Sequence, residues 1–134
     1  MLLSVLGMSD KRELIMVVDD EQDILYVLRA GLARYGHKVM TFSDPRLALK
    51  ELTFNHSDYQ LILTDLRMPA ISGIELAKKA RDIDANVKLM IMTAFELSSY
   101  ELSHDLPFVK IEDLLKKPIS MSSICKVIDK KIAS

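Results

Sequence analysis

Leu14-Ile15-Met16-Val17-Val18 runs directly into Asp19-Asp20, and this heptapeptide decides the fold. All five leading positions are apolar, so the run lacks the alternation of a strand with one wet face. A strand that is apolar throughout is covered on both sides, which is the situation of a parallel sheet between two helical layers. The pattern recurs twice. Leu61-Ile62-Leu63-Thr64 stops at Asp65, and the stretch from Val87 to Met92 stops at Thr93.

Between these runs the apolar period changes to that of a helix. Ile24, Leu25, Leu28 and Leu32 fall on one face until Gly36 ends the segment. Lys38 to Phe42 reads as a short strand, and Ser43-Asp44-Pro45 opens a second helix with capping groups before a proline suited to a first turn. Gly73 precedes a third helix running to about Arg81, and the segment 94–105 reads as a weak fourth helix ahead of Pro107. A last short strand near Asp113-Leu114-Leu115 stops at Lys117-Pro118. Ser120 then caps a final helix whose apolar stripe is Met121, Ile124, Cys125, Ile128 and Ile132.

Strands alternating with helices imply βαβ crossovers. Five such units predict a single doubly wound, flavodoxin-like α/β domain: a five-stranded parallel sheet in order 2-1-3-4-5 with five helices. The 134 residues fit one domain, taken as residues 11–134. Residues 1–10 read as a frayed leader, with Met8 as an alternative start, because the opening lacks the basic flank of a secretion signal. An apolar fraction of 49% with 28% charged residues excludes a disordered or low-complexity chain. A net charge of −1 removes any global drive toward nucleic acid. No apolar run approaches the ~20 residues that span a bilayer. The single cysteine forms no internal disulfide, which points to a cytoplasmic protein.

The functional reading rests on where polar residues fall. Asp19 and Asp20, Asp65, Thr93 and Lys117 each follow a predicted strand. In an open parallel sheet those carboxyl ends share one edge, where ligands bind at the topological switch point. Three carboxylates together repel one another unless a cation is present. An all-oxygen set without His or Cys suits a hard ion that keeps several waters, and Mg²⁺ is the candidate. A carboxylate is also a covalent nucleophile toward phosphorus. Asp65, alone at the end of the third strand, is the choice for that role. Asp19 and Asp20 suit the metal, Lys117 pairs with phosphoryl oxygens, and Thr93 donates a hydrogen bond to one of them.

These residues resemble the receiver domain of response regulators, the phospho-accepting half of two-component signalling. The matching pieces are VVDDE (17–21), LTDLRMPAISG (63–73), IMTA (91–94) and KKP (116–118), in that order over about residues 12–133. The resemblance implies that Asp65 is the phosphorylation site, and that Asp20 binds Mg²⁺ directly while Asp19 does so through water. It implies a further metal ligand in the Arg67 backbone carbonyl, a switch hydroxyl in Thr93 and a phosphate-pairing amine in Lys117. Pro118 would follow a cis peptide, and Pro69 and Gly73 would belong to the loop that shapes the nucleophile's surroundings. Where many receivers carry Tyr or Phe, three residues before the lysine, this chain has Leu114. Phe95 is placed to shield the phosphoryl group from water.

The implied partners are a sensor histidine kinase or phosphotransfer protein and an unnamed downstream protein. The latter would meet the surface of the fourth helix, fifth strand and fifth helix. No direct nucleic-acid or membrane partner is expected, and the protein reads as a monomer or weak homodimer. A phosphatase with an Asp nucleophile is disfavoured, since such enzymes place a second Asp where Arg67 stands. A phosphorylation-independent interaction module of the same fold is the remaining rival, kept open by Leu114. His37, His56 and His104 share no ligand spacing and read as surface residues. Cys125 reads as half-buried helix packing, and neither a P-loop nor a dinucleotide motif occurs.

Overall fold

The computed structural model describes residues 12–94, 114–117 and 120–133. Its elements in chain order are β1 (Leu14–Val18), α1 (Gln22–Arg34), β2 (Lys38–Phe42), α2 (Pro45–Asn55), β3 (Tyr59–Asp65), α3 (Gly73–Ile83), β4 (Lys88–Thr93), β5 (Leu114–Lys116) and α4 (Met121–Ala133). The five strands form one parallel sheet in the order β2-β1-β3-β4-β5, the order expected of a flavodoxin-like domain. Four of the five expected helices are among the described residues, α4 being the last of them. The fourth predicted helix over 94–105 lies, beyond Ala94, outside the described residues. So do the leader 1–10, Phe95, His104, Pro107 and Pro118.

The physical reason for the uninterrupted apolar runs is now explicit. Successive strand side chains point to opposite faces, and both faces are covered. Met16, Val18, Ile62 and Ile91 join Ala48, Leu52, Leu76 and Ala80 in one core, between the sheet and α2 and α3. Ile15, Val17, Leu63 and Met92 join Leu25, Leu28, Leu32, Ile124 and Ile128 in the other, between the sheet and α1 and α4. Burial of each such side chain contributes roughly 1.5–3 kcal/mol, so β1 and β3, enclosed at all but Leu14 and Gln60, anchor the fold.

Local signals set the element ends. The Asp44 carboxylate accepts from the Arg46 N–H at 2.9 Å ahead of Pro45, and Ser120 Oγ accepts from the Ser123 N–H at 3.2 Å at the start of α4. Gly36, at φ +91°, ends α1 in the left-handed region that glycine enters without strain. Three details differ from the sequence reading. The cap of α3 is Ser72, whose Oγ accepts from the Glu75 N–H, and Gly73 is the first helical residue. Cys125 is fully rather than half buried, because it faces the sheet from the inner side of α4. His37 and His56 are partly buried and each meets an aspartate, Asp129 at 3.1 Å and Asp84 at 2.9 Å.

Asp84 belongs to a cluster at the amino ends of the strands. It is 5% exposed and accepts from Arg12 Nη1 at 2.6 Å and the Asn86 N–H at 2.9 Å. Burial opposes its ionisation, but the Arg12, Asn86 and His56 hydrogen bonds outweigh that and hold the carboxyl down at about 2.

Candidate functional site

The parallel ladder delivers the site residues. Asp65 is the last residue of β3, registered with Met92, and Thr93 is the last of β4, registered with Lys116. Backbone bonds continue just past the strands: Asp19 N–H to Phe42 O at 3.1 Å, Leu66 N–H to Met92 O at 2.8 Å, and Lys117 N–H to Thr93 O at 2.7 Å. Each polar residue is therefore placed by the sheet before any side chain acts. This is what a strand end offers: a backbone fixed by the ladder and a side chain aimed into the crevice beyond it.

Lys117 Nζ donates to Asp19 Oδ2 at 3.1 Å and lies 3.0 Å from Asp65 Oδ1. One oxygen from each of Asp19, Asp20 and Asp65 falls within a 4.8 Å group. The three differ in exposure, with Asp19 and Asp65 buried and Asp20 open to solvent. Burial pushes the Asp19 carboxyl above its ordinary range, and the negative charge of Asp65 adds to this. The Glu21 N–H at 3.0 Å and Lys117 offset only part of it. Burial opposes the charge on Lys117 too, yet its two carboxylate partners outweigh that and raise its pKa above the usual lysine value. A buried acid that resists ionisation beside a second acid is a site short of positive charge.

The segment after Asp65 bends tightly. The Gly73 N–H donates to Leu66 O at 2.7 Å, so α3 begins against the backbone immediately after Asp65. A Cβ at Gly73 would run into the Asp65 carbonyl oxygen and lie 2.9 Å from Leu66 Cα. Glycine is required here for space. Ala70 takes φ +71° in the same bend, a region costly for a residue with a Cβ. The Arg67 side chain is exposed, and Thr93 is buried at the base of the crevice. Leu114 is partly buried and packs against the α2–α3 core.

The donor set is oxygen only, with no His or Cys in the cluster. It suits a hard divalent cation, and Mg²⁺ fits it. The profile of the response regulator receiver domain family matches residues 15–129. The chain belongs to the response regulator receiver family. This receiver is 30% identical over 118 residues to the response regulator receiver protein CpdR of Brucella abortus, covering 88% of this chain and 95% of that one. It is 31% identical over 122 residues to sporulation initiation phosphotransferase F of Bacillus subtilis, covering 83% and 97%. Among solved structures, a response regulator receiver domain protein from Clostridium thermocellum superposes with a TM-score of 0.78 at 24% identity, covering 90% of this chain and 94% of that one. The response regulator TrrA of Thermotoga maritima, solved in complex with Mg²⁺–BeF, superposes with a TM-score of 0.69 at 27% identity, covering 88% and 97%.

Asp19, Asp20, Asp65, Thr93 and Lys117 of this receiver's site lie at the one sheet edge, and Lys117 is in direct contact with both Asp19 and Asp65. Two features escaped the sequence reading. The steric reason for Gly73 had no signal, since a glycine before a helix reads equally as a boundary. The Lys117–Thr93 backbone bond has no side-chain signature at all.

Proposed function

We propose that this receiver, with residues 11–134 as its domain, accepts a phosphoryl group on Asp65 from a histidine kinase or phosphotransfer protein in a Mg²⁺-dependent reaction. It would then signal through a changed protein-binding surface. The observation that carries this reading is the Lys117 ammonium held 3.0 Å from Asp65 Oδ1 within a cluster of three carboxylates. Receiver domains are signalling domains, and the reaction is a single transfer onto the protein itself.

Asp65 supplies an oxygen lone pair that forms the new O–P bond as the P–N bond of a phosphohistidine breaks, the electron pair leaving on the imidazole nitrogen. No general base is needed, because the attacking group is a carboxylate. Lys117 sits beside the attacked oxygen and takes up negative charge on the phosphoryl group, with the Thr93 hydroxyl as a further donor. Asp19, Asp20, Asp65 and the Arg67 carbonyl would hold Mg²⁺, which when bound neutralises phosphoryl oxygens and the clustered carboxylates. The likeness to TrrA, solved with Mg²⁺–BeF, supports that assignment.

Intact-mass measurement after incubation with acetyl phosphate and Mg²⁺ tests this. The expected result is one labile phosphoryl adduct, absent in Asp65→Asn and absent with EDTA. An adduct that survives Asp65→Asn would overturn the assignment. Leu114 favours one second reading, a phosphorylation-independent interaction module, since the position of the usual aromatic holds a partly buried leucine packed against the α2–α3 core. Unchanged partner affinity between the phosphorylated and unmodified protein would favour it.

A further inference from the structure

Between α1 and α4, beside the acidic crevice, lies an apolar cavity of about 340 Å³. Ile24, Val27 and Leu28 form one wall, and Met92, Met121 and Ile124 the other. Asp23 and Lys117 are its two charged members. Two features make it unlike ordinary core packing. Val27 is 56% exposed and its neighbour Tyr26 75% exposed, so the α1 wall continues as an uncovered apolar surface. Gly31 meets the Met121 side chain so closely that a Cβ there would overlap it. The helices thus close up at that end, while the stretch lined by Ile24 and Val27 stays open.

The same chain carries a segment of matching chemistry. Residues 1–8, Met1-Leu2-Leu3-Ser4-Val5-Leu6-Gly7-Met8, hold six apolar side chains, and the first charged side chain is Asp10. Reach permits the contact. Arg12 lies at the amino end of β1, the opposite edge of the sheet, bound to Tyr59 O and Asp84. The 13 residues of α1 rise about 20 Å. An extended segment of residues 6–11 spans about the same distance at ~3.3–3.6 Å per residue. That leaves the first five residues free to occupy the groove, and tethering keeps them at an effective concentration in the millimolar range.

We propose that residues 1–5 fold back onto the α1–α4 groove of their own chain and seat Leu2 and Leu3 against Val27, Met92 and Met121. The seated leader covers the apolar face of α1 next to Lys117 and competes with any protein that docks there to deliver or collect a phosphoryl group. That regulatory consequence rests on the receiver reading; the docking itself does not.

The test is methyl NMR of the unmodified, metal-free protein labelled at methionine, so its outcome is independent of phosphoryl chemistry. The full chain is compared with a chain starting at Met8, and with a full-length Leu2→Asp, Leu3→Asp variant that leaves residues 12–134 untouched. Removing the leader should move the Met92 and Met121 methyl resonances and leave that of Met16, on the other side of the sheet, in place. The double variant should reproduce the shortened chain, and a peptide of residues 1–10 added to the shortened chain should reverse the shifts. Identical Met92 and Met121 resonances in the full and shortened chains would overturn the proposal. So would shifts that vanish on dilution, which would make the occupant the leader of a second copy.

Discussion

Lys117 donates from 3.1 Å to Asp19 Oδ2 across 98 residues of sequence, and Asp19 is fully buried. That single contact ties the end of β5 to the end of β1 over the intervening β3 and β4. It places the one ammonium of the cluster between two acids. Structure and reactivity therefore share the same charge.

Lys117→Met removes the counter-charge and leaves Asp19 and Asp65 facing each other. Stability should fall by about 1–3 kcal/mol in the metal-free protein, the range for orphaning a buried partner. Mg²⁺ should recover part of the loss. Thermal unfolding of both proteins with EDTA and with Mg²⁺ measures it, and phosphorylation from acetyl phosphate should be nearly lost. Equal melting temperatures in EDTA would mean that the pair contributes nothing.

Asp19→Asn should act in the opposite direction on stability. Burial and the charge of Asp65 disfavour the Asp19 carboxylate, so a neutral amide of the same shape should raise metal-free stability by about 1 kcal/mol. Mg²⁺ affinity should fall at the same time, the expected trade-off at a functional site. Urea unfolding and a Mg²⁺ titration of the same variant check both halves.

Two substitutions in the bend after Asp65 separate space from conformation. Gly73→Ala drives a methyl against the Asp65 carbonyl, so it should destabilise by roughly 2 kcal/mol or more and shift the acid's position, slowing phosphorylation. Ala70→Gly relieves a left-handed backbone at φ +71° and should stabilise by about 0.5–1 kcal/mol without slowing it. Denaturant midpoints and adduct formation rates read both, and a stabilised Gly73→Ala would contradict the steric account.

Asp84 predicts an acid transition at the far edge of the sheet. Its folded pKa of about 2 lies below the ordinary value of 3.8, so the unfolded chain binds the proton more tightly. The contribution, on the order of 2 kcal/mol, is complete above about pH 4 and is lost as pH falls toward 2. Stability should rise with pH across that window, and Asp84→Asn should flatten the rise. Urea midpoints taken from pH 2.5 to 6 test it.

Where the sequence was legible, a local pattern had one physical meaning. The uninterrupted apolar runs at Leu14–Val18 and Leu61–Leu63 required two covered faces, and those runs ended on acids. From that came the parallel sheet and the edge that carries Asp19, Asp20, Asp65, Thr93 and Lys117, while the strand order came from the usual topology of a five-unit doubly wound fold. Caps such as Asp44 before Pro45 were equally plain. Ser72 was missed as a cap because the adjacent glycine looked like a boundary.

What the sequence by itself determined is this alternation of covered strands and one-faced helices, with the polar residues at the strand ends, because period and burial are local properties. Only the tertiary structure decided which of those residues touch, how deeply each acid is buried, and that Gly73 must lack a side chain. It alone revealed Arg12, His56 and Asp84 as one cluster and the open groove between α1 and α4. Such contacts join positions tens of residues apart, and their distances depend on how helices and sheet pack, which no local pattern records.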